Sequence, residues 1–198
     1  SLYGAILNPG CRFFDMRIGQ SVTLTGRCIT QHMASKVNEV VTGEYDHKGK
    51  SIVYGDTDSV YFSAFKTLQK EIKEGIIPWT KDSVVALYDK IADEVNSSFK
   101  SFMTKAFHTP STRGEVIAAG RELVASKGLF ITKKRYAVLY YDKEGKRADV
   151  EGKDGKMKAM GLDLKRSDTP VFVQDFLSEV LYMVLQGKDE KIVLDRIS

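Results

Sequence analysis

The chain has 198 residues, of which 42% are hydrophobic and 28% are charged, a composition ordinary for a globular domain. Its apolar residues stand in short runs interrupted by charges, which excludes a membrane-spanning helix. Two cysteines, Cys11 and Cys28, and three scattered histidines are too few for a disulfide framework or a zinc-finger ligand set. Lone thiols suit a reducing cytoplasmic compartment.

Charge is unevenly distributed along the chain. The total is +4, from 30 Lys and Arg against 26 Asp and Glu, but residues 121–166 alone hold 13 basic and 7 acidic side chains. This segment therefore carries +6 and the remainder −2. Such asymmetry predicts a surface that faces a polyanion, although a solvated, loop-rich charged face would give the same count.

The first half of the chain predicts a long helix followed by a β-hairpin. Apolar residues recur on one helical face over residues 15–41, and Gly43 ends the pattern. Two β-prone runs, 51–54 and 59–63, flank the sequence Gly55-Asp56-Thr57-Asp58. We therefore expect a hairpin whose tip carries two carboxylates. The helical positions are Val22, Ile29, Met33, Val37 and Val41.

The second half predicts a further long helix, a group of strands and a helical C-terminal region. Residues 81–107 return to the helical period, a capping segment at 167–170 begins a helix that ends at Gly187, and another helix starts within 188–198. In between, the chain is β-rich at 115–123, 128–141 and 156–164, with a turn at 142–145. These elements predict an α+β fold in which long helices pack on one face of an antiparallel sheet.

The two carboxylates at the hairpin tip are the first candidates for chemistry. Asp56 and Asp58 are two residues apart, and side chains at that spacing in a strand point to the same side. Like charges this close disfavour each other's ionised form, so a cation is their natural partner. Carboxylate oxygens are hard ligands that predict Mg²⁺, whose remaining positions go to water and phosphate oxygens. A solvated acidic turn without a metal is the alternative.

Four short segments occur in an order that one protein family shares. They are Ser1-Leu2-Tyr3-Gly4-Ala5, Tyr54-Gly55-Asp56-Thr57-Asp58-Ser59, Lys133-Lys134-Arg135-Tyr136, and Lys158 to Leu162 continuing through Lys165 to Pro170. These resemble, in turn, the end of the fingers-helix motif, the palm hairpin, the KKRY motif and the segment after it in family B DNA polymerases. The stretch Phe13-Phe14-Asp15-Met16-Arg17 is similar to the replicative polymerases of tailed bacteriophages.

The resemblance implies a palm domain and roles for residues at the active centre. Asp58 matches the carboxylate that ligates both catalytic Mg²⁺ ions, and Asp56 matches its neighbour beside the primer end. Tyr3 matches the tyrosine that packs in the minor groove beside the nascent base pair, and Gly4 the small residue that lets the pair approach. The implied reaction is two-metal phosphoryl transfer, adding dNTPs to a primer 3′-hydroxyl. An aromatic residue that only packs a helix joint is the alternative for Tyr3.

The resemblance also implies a surface for the newly made duplex. Lys133, Lys134, Arg135 and Tyr136 would track it, because cationic side chains on phosphates and contacts to minor-groove acceptors give a grip that ignores base sequence. Lys165 and Arg166 are candidates for the same task. An ordinary basic strand end is the alternative for the KKRY run.

Parts of the family's active site have no counterpart in this sequence. The first motif supplies a second metal-binding Asp, and the fingers supply the side chains that hold the triphosphate; neither occurs here. The chain begins at Ser1 without an initiator methionine or a signal segment, so we expect a piece of a longer polymerase, completed in cis or by a separate upstream polypeptide. We expect the isolated chain to be inactive. Residues 1–187 would form the palm, with 1–10 ending the fingers helix, and 188–198 would begin the thumb.

The resemblance implies primer–template DNA and dNTPs as partners, a sliding clamp in the complete enzyme, no membrane, and the cytoplasm of an infected bacterial cell as the setting. A duplex-DNA-binding module, or a split-polymerase subunit with no chemistry of its own, is the alternative function. Binding would need the basic segment but not Asp58, which separates the two hypotheses.

Overall fold

The computed structural model describes residues 2–150, 152–162, 164 and 169–197. Its helices are α1 (Leu2–Ile6), α2 (Met16–Thr42), α3 (Gln69–Lys73), α4 (Lys81–Phe107), α5 (Ser111–Gly114), α6 (Val171–Gln186) and α7 (Glu190–Ile197). Its strands are β1 (Ile52–Asp56), β2 (Ser59–Phe62), β3 (Leu123–Thr132), β4 (Arg135–Lys143), β5 (Lys146–Arg147) and β6 (Lys156–Met160). The chain divides into two units, one of Ser1–Pro78 and Asp93–Ala118, the other of Trp79–Ala92 and Ala119–Ser198.

The long helix α2 forms where the apolar spacing predicts it, and both of its ends have local causes. Asp15 caps the first turn by accepting a hydrogen bond from the Arg17 backbone N–H at 2.8 Å. The neighbouring Arg17 guanidinium lowers the pKa of Asp15 to about 2. Gly43 ends the helix in a left-handed conformation, φ 85°, and its N–H donates to the Glu39 carbonyl.

In the first unit, α2 packs with the β1–β2 hairpin and with the C-terminal part of α4. The two strands form a two-stranded antiparallel sheet, with an irregularity in the ladder between Ile52 and Tyr54. Apolar side chains from α2 and α4 supply buried residues of this unit. They are Ala34 and Val37 from α2, and Val95, Phe99 and Met103 from α4.

The second unit is built on a four-stranded antiparallel sheet with β4 at its centre. Strand β3 pairs with one edge of β4, while β6 and the short β5 pair with the other. Helix α6 covers the face that carries Ala137 and Leu139, through Leu185 and its neighbours. The N-terminal part of α4 packs its Val84 against Val124 and Tyr141. Helices on antiparallel sheets confirm the α+β class, although the strands divide between two sheets.

Three of the predicted strand boundaries are wrong. Residues 115–122 form no strand, because the segment before them is held in local turns: Gly114 packs against the Lys100 backbone, and the Val116 N–H bonds to the Arg113 carbonyl. The predicted run 128–141 is interrupted, because the chain reverses at Lys133 and Lys134 to make the β3–β4 hairpin. The last strand ends at Met160 rather than at residue 164, because Gly161 has φ 65° and leaves the extended conformation.

The predicted helices agree closely with the structure. Helix α4 has the predicted bounds, α6 ends before Gly187 as expected, and α7 lies within residues 188–198. Neither of the 27-residue helices, nor any shorter helix in the described ranges, has the apolar run that crossing a bilayer requires.

Candidate functional site

Two hairpin turns carry the residues that the sequence singles out. The acidic turn comprises Asp56, Thr57 and Asp58 at the end of the β1–β2 hairpin in the first unit. Asp56 closes β1 by pairing with Ser59, so Thr57 and Asp58 alone reverse the chain. Asp58 is exposed and Asp56 is half-buried. The structure thus places both predicted carboxylates at the tip of the β1–β2 hairpin, one in the last residue of β1 and the other in the turn.

The backbone of the acidic turn is held by hydrogen bonds from two directions. Asp56 Oδ1 accepts from the Thr57 N–H at 2.8 Å and from the Thr57 hydroxyl at 3.3 Å. Thr30 on α2 places its Oγ1 3.0 Å from the Thr57 carbonyl oxygen and 3.0 Å from that of Gly26. The hydroxyl has one proton to share between these acceptors. Helix α2 is therefore tied to the residue between the two carboxylates.

A second contact fixes the open end of the same hairpin to α2. Asn38 is fully buried, and its Oδ1 accepts from the Ser51 hydroxyl at 2.8 Å and the Ser51 N–H at 3.2 Å. Its Nδ2 donates to the Glu44 carbonyl at 2.8 Å. The Ser51 carbonyl in turn accepts from the Ser63 N–H, which closes the hairpin base. One helix thus anchors both ends of the element that carries the carboxylates.

The acidic turn has ligand chemistry suited to a divalent cation. Its two carboxylates are hard oxygen donors, and Mg²⁺ is commonly bound by one or two protein carboxylates with water and phosphate filling its shell. Within the described ranges, no group of three or more His, Cys, Asp and Glu side chains is arranged to hold a metal. The predicted parallel orientation of the two side chains rested on strand alternation, which does not extend to Asp58 because it lies in the turn.

The basic turn comprises Lys133, Lys134 and Arg135 at the end of the β3–β4 hairpin in the second unit. All three side chains are exposed. Lys134 has φ 62°, the left-handed conformation that a two-residue hairpin turn often needs. Arg135 donates from Nε to the Gly161 carbonyl at 3.1 Å. Three adjacent cationic side chains on one turn match the requirement for a phosphate-facing surface.

Tyr136, the fourth residue of the predicted binding run, has a different setting. It is only 4% exposed, and its ring stacks on Phe130 with centroids 5.6 Å apart. In the sheet it pairs with Met160 of β6 on one side and Phe130 of β3 on the other. It therefore packs beneath the basic turn, and its contact with DNA stays a prediction.

Ion pairs compensate several of the other cations in the basic segment. Arg121 pairs with buried Asp142 at 2.5 Å, Arg147 with Asp149 at 2.8 Å, and Lys158 with Glu122 at 2.6 Å. The Arg147 guanidinium, helped by Lys81, lowers the pKa of Asp149. Burial raises the pKa of Tyr141, beside the same pair, to about 12. Three of the segment's cations are thus paired, whereas the basic turn places three exposed cations at consecutive positions. Exposed lysines also occur elsewhere in the segment, at Lys127, Lys143, Lys146, Lys153 and Lys156.

Four predicted site residues remain, two of them in α1. Tyr3 and Gly4 are in α1, and their contacts with a nascent base pair stay predictions. Lys165 and Arg166 lie outside the described residues.

The sequence reasoning missed two residues that support these turns, Thr30 and Gly161. Thr30 falls on a helical face next to small Gly26, but its partner is 27 residues away and no local pattern reveals it. Gly161 falls within the β-prone run 156–164, and a glycine inside such a run often marks a close backbone approach. The glycine was therefore a usable signal in the sequence, but the sequence does not show which residue its backbone approaches.

Comparisons with known proteins show which family the chain belongs to. Residues 1–197 match the model described as DNA polymerase family B. The chain is 35% identical, over 94% of its length, to the DNA-directed DNA polymerase of Escherichia phage RB69, and 30% identical, over 97%, to that of Enterobacteria phage T4. It is 27% identical over 88% of its length to the DNA polymerase delta catalytic subunit of Oryza sativa subsp. japonica. It spans 21% and 22% of the two phage proteins. The chain belongs to DNA polymerase family B.

Proposed function

We propose that this chain supplies part of the palm of a DNA-directed DNA polymerase, which adds dNTPs to a primer 3′-hydroxyl. The observation that carries the proposal is the acidic turn: two carboxylates in three residues, on a hairpin tied to α2, in a chain matched to family B over residues 1–197. The phage relatives are named DNA-directed DNA polymerases.

Asp58 is the proposed ligand of both catalytic Mg²⁺ ions, and Asp56 supports the site beside the primer end. When bound, Mg²⁺ would activate the 3′-hydroxyl and neutralise the triphosphate and the leaving pyrophosphate. The protein's part is positioning: Thr30 restrains the hairpin at the Thr57 carbonyl and Asn38 restrains it at Ser51, and both leave the exposed Asp58 carboxylate accessible. Tyr3 and Gly4 are proposed to lie beside the nascent base pair.

The basic turn is proposed to hold the newly made duplex. Lys133, Lys134 and Arg135 would neutralise phosphates, a contact that positions the duplex without reading its sequence. Lys165 and Arg166 are assigned the same role by the resemblance alone. A polymerase that copies any template needs a grip of this sequence-independent kind.

We further propose that the 198-residue chain does not polymerise alone. It spans about a fifth of the length of its phage relatives, and one exposed carboxylate with a half-buried neighbour would hold two metal ions poorly. An upstream segment with exonuclease, first motif and fingers, in cis or as a separate polypeptide, would complete the site.

In the complete enzyme, residues 1–187 would be palm and 188–198 the start of the thumb. A sliding clamp is a proposed partner, and an infected bacterial cell the proposed setting.

Primer extension on a recessed duplex with Mg²⁺ and dNTPs tests this proposal. We expect no extension from the chain alone and extension when the upstream polypeptide is added. In the mixture, Asp58→Asn should reduce incorporation about a thousandfold, because losing a catalytic metal ligand costs about 4 kcal/mol of transition-state stabilisation. The matched control is Asp93→Asn, an exposed aspartate on α4, which should incorporate at the wild-type rate. Normal incorporation by Asp58→Asn would refute the metal assignment.

The second candidate function is a duplex-DNA-binding module without chemistry. The +6 charge of residues 121–166 and the exposed basic turn favour it. It predicts that the mixture binds duplex DNA but never extends the primer, and that Asp58→Asn changes nothing measurable.

A further inference from the structure

The basic turn reverses the chain through a residue that is poorly suited to the task. Lys134 has φ 62°, and a side chain with a Cβ is disfavoured in this left-handed conformation. Neither turn residue is a glycine or asparagine, the types that usually fill such hairpin turns. Contacts from elsewhere in the unit are therefore expected to hold this turn.

One such contact comes from Gly161, the residue after β6. The ladder pairs Met160 with Tyr136, which brings the end of β6 alongside the first residues of β4. A Cβ added to Gly161 would lie 2.0 Å from the Lys134 carbonyl oxygen and 3.1 Å from Arg135 Cγ. The first distance is far inside ordinary contact, about 3.5 Å. Gly161 also has φ 65°, which disfavours any other residue type.

Gly161 contacts the basic turn through its carbonyl as well. Its oxygen accepts the hydrogen bond from Arg135 Nε at 3.1 Å. This contact uses one guanidinium donor within the protein and thereby fixes the direction of the Arg135 side chain. The Gly161 backbone therefore meets two consecutive residues of the turn, the carbonyl of Lys134 and the side chain of Arg135.

We propose that Gly161 is a positioning residue for DNA binding: its lack of a side chain lets the end of β6 brace Lys134 and orient Arg135 toward the duplex. The inference rests on the proposed function of the basic turn. A phosphate contact requires a cation at a defined place, so a displaced turn loses contacts even though every charge is retained.

The second unit offers a matched control in Gly155, one residue before β6. It has φ 148°, and a Cβ there would lie 2.3 Å from the Tyr140 carbonyl oxygen. Gly155→Ala therefore introduces the same kind of backbone conflict against the same strand, β4, at the other end of β6. Both variants should lose stability, but only the substitution at Gly161 bears on the basic turn.

The experiment compares Gly161→Ala, Gly155→Ala and wild type in two measurements, below the melting temperature of each protein. Hydrogen exchange by mass spectrometry follows the peptides that cover residues 129–137. Fluorescence anisotropy gives the affinity for a primer–template duplex over a range of NaCl concentrations. The slope of log K against log [NaCl] counts phosphate contacts, at about 0.9 per phosphate.

We expect Gly161→Ala to speed exchange at the turn and to lower the slope by about 1, the loss of one phosphate contact. Gly155→Ala should leave both at the wild-type values. Unchanged exchange at the turn, or faster exchange with a wild-type slope, would overturn the inference, as would an equal slope loss in Gly155→Ala. If Gly161→Ala does not fold, Gly161→Asn carries the same Cβ but tolerates positive φ better, and the same outcomes apply.

A further variant separates this inference from the proposed function. If Lys133→Ala binds DNA with the wild-type slope, or the wild type does not bind, the proposed role of the basic turn fails, and the positioning role in DNA binding fails with it. If Lys133→Ala lowers the slope but Gly161→Ala does not, only the inference about Gly161 fails.

Discussion

The β1–β2 and β3–β4 hairpins have turns of the same length and opposite charge, and they are secured in different ways. The acidic turn is held from outside its sheet, by the Thr30 hydroxyl of a long helix on the Thr57 carbonyl. The basic turn is held from within its sheet, by the end of a neighbouring strand at Gly161. In the acidic turn this restraint acts on a backbone carbonyl and Asp58 stays exposed; in the basic turn it meets the Lys134 carbonyl and the Arg135 side chain, and all three cations stay exposed.

The ends of the two hairpins that lie opposite the charged turns also differ in how they are anchored. The acidic hairpin is anchored by a neutral amide, Asn38, on Ser51. At the far end of β4 from the basic turn, buried Asp142 accepts hydrogen bonds from Arg121 and from the Gly145 N–H. The hairpin with an acidic tip thus has a neutral anchor, and the sheet with a basic tip has an ionic one. This difference makes the two units sensitive to different changes.

The largest expected effect is the loss of stability when the ionic anchor, the Arg121–Asp142 pair, is broken. Arg121→Met should lower the free energy of unfolding by about 3 kcal/mol, because it leaves the Asp142 carboxylate buried without its cation. Trp79, the single tryptophan, packs in the second unit near Val84, so its fluorescence during denaturation reports on this unit.

The control is Arg147→Met, which removes a partly exposed arginine that also pairs with two aspartates. Its cost should be at most about 1 kcal/mol, since Asp149 keeps Lys81 at 2.6 Å. Equal losses in the two variants would contradict the distinction between a buried anchor and a surface pair.

Removal of the neutral anchor, Asn38, should lower the free energy of unfolding somewhat less than removal of Arg121. Asn38→Ala leaves the Ser51 hydroxyl and the Glu44 carbonyl without their buried partner, and we expect a loss of about 2 kcal/mol in urea denaturation followed by circular dichroism. Asn8→Ala, which removes an exposed amide bonded to the Gly10 N–H, is the control and should cost under about 1 kcal/mol. A loss no greater than that of the control would mean that Asn38 does not anchor the hairpin.

The turn conformation of Lys134 separates stability from binding. Lys134→Gly should raise the free energy of unfolding by up to about 1 kcal/mol, because glycine accepts φ 62° without a Cβ conflict. The same change removes a cation, so affinity for duplex DNA should fall. Glu144→Gly, at φ 51° in the β4–β5 turn, is the control: it should stabilise similarly without weakening DNA binding. Weaker binding in both variants would contradict the role of the basic turn.

The smallest expected effect is a difference between the two units in how their stability depends on pH. In the first unit, His32 stacks on Phe102 and hydrogen-bonds Tyr45 at 2.7 Å and Ser98 at 2.9 Å, and burial lowers its pKa. The unfolded chain therefore takes up the proton first, so stability falls as the pH drops below about 6.5.

The second unit should respond at lower pH. The depressed pKa of Asp149 contributes stability that is fully present above the pKa of an unfolded aspartate, about 4, and is lost on further acidification. Thermal melting at pH 7 and 5.5 checks the first window: the wild type should lose more melting temperature than His32→Gln. Equal losses would mean that His32 does not set this dependence.

The sequence predicts the helices well because their signals are local. Apolar spacing and the Gly43 stop define α2 to within a residue, and α4 has its predicted bounds. Strands were less predictable. The β-prone stretch 115–123 lies largely outside the sheet, since its beginning is held in local turns and Val116 is 81% exposed. The turn at Lys133 and Lys134 lacks the usual glycine or asparagine, so its conformation depends on tertiary contacts, among them those with Gly161.

The charged tips of the candidate site were predictable from sequence, but their supports were not. Asp56 and Asp58 stand out as carboxylates between two β-prone runs, and Lys133 to Arg135 as a cationic run. Thr30 and Asn38 act across 27 and 13 residues of sequence, through hydrogen bonds that exist only after the helix and hairpin have packed. The local sequence therefore shows which side chains could carry chemistry, whereas the positions of those side chains depend on tertiary contacts.

The most direct test of the account asks whether the two turns have separable tasks. In the reconstituted polymerase, DNA affinity and the single-turnover rate at saturating DNA are measured for Asp58→Asn and Lys133→Ala. Asp58→Asn should lose about a thousandfold in rate at wild-type affinity, and Lys133→Ala should lower the salt slope by about 0.9 at the wild-type rate. If both variants lose rate and affinity together, or Asp58→Asn keeps its rate, the division between an acidic catalytic turn and a basic binding turn is wrong.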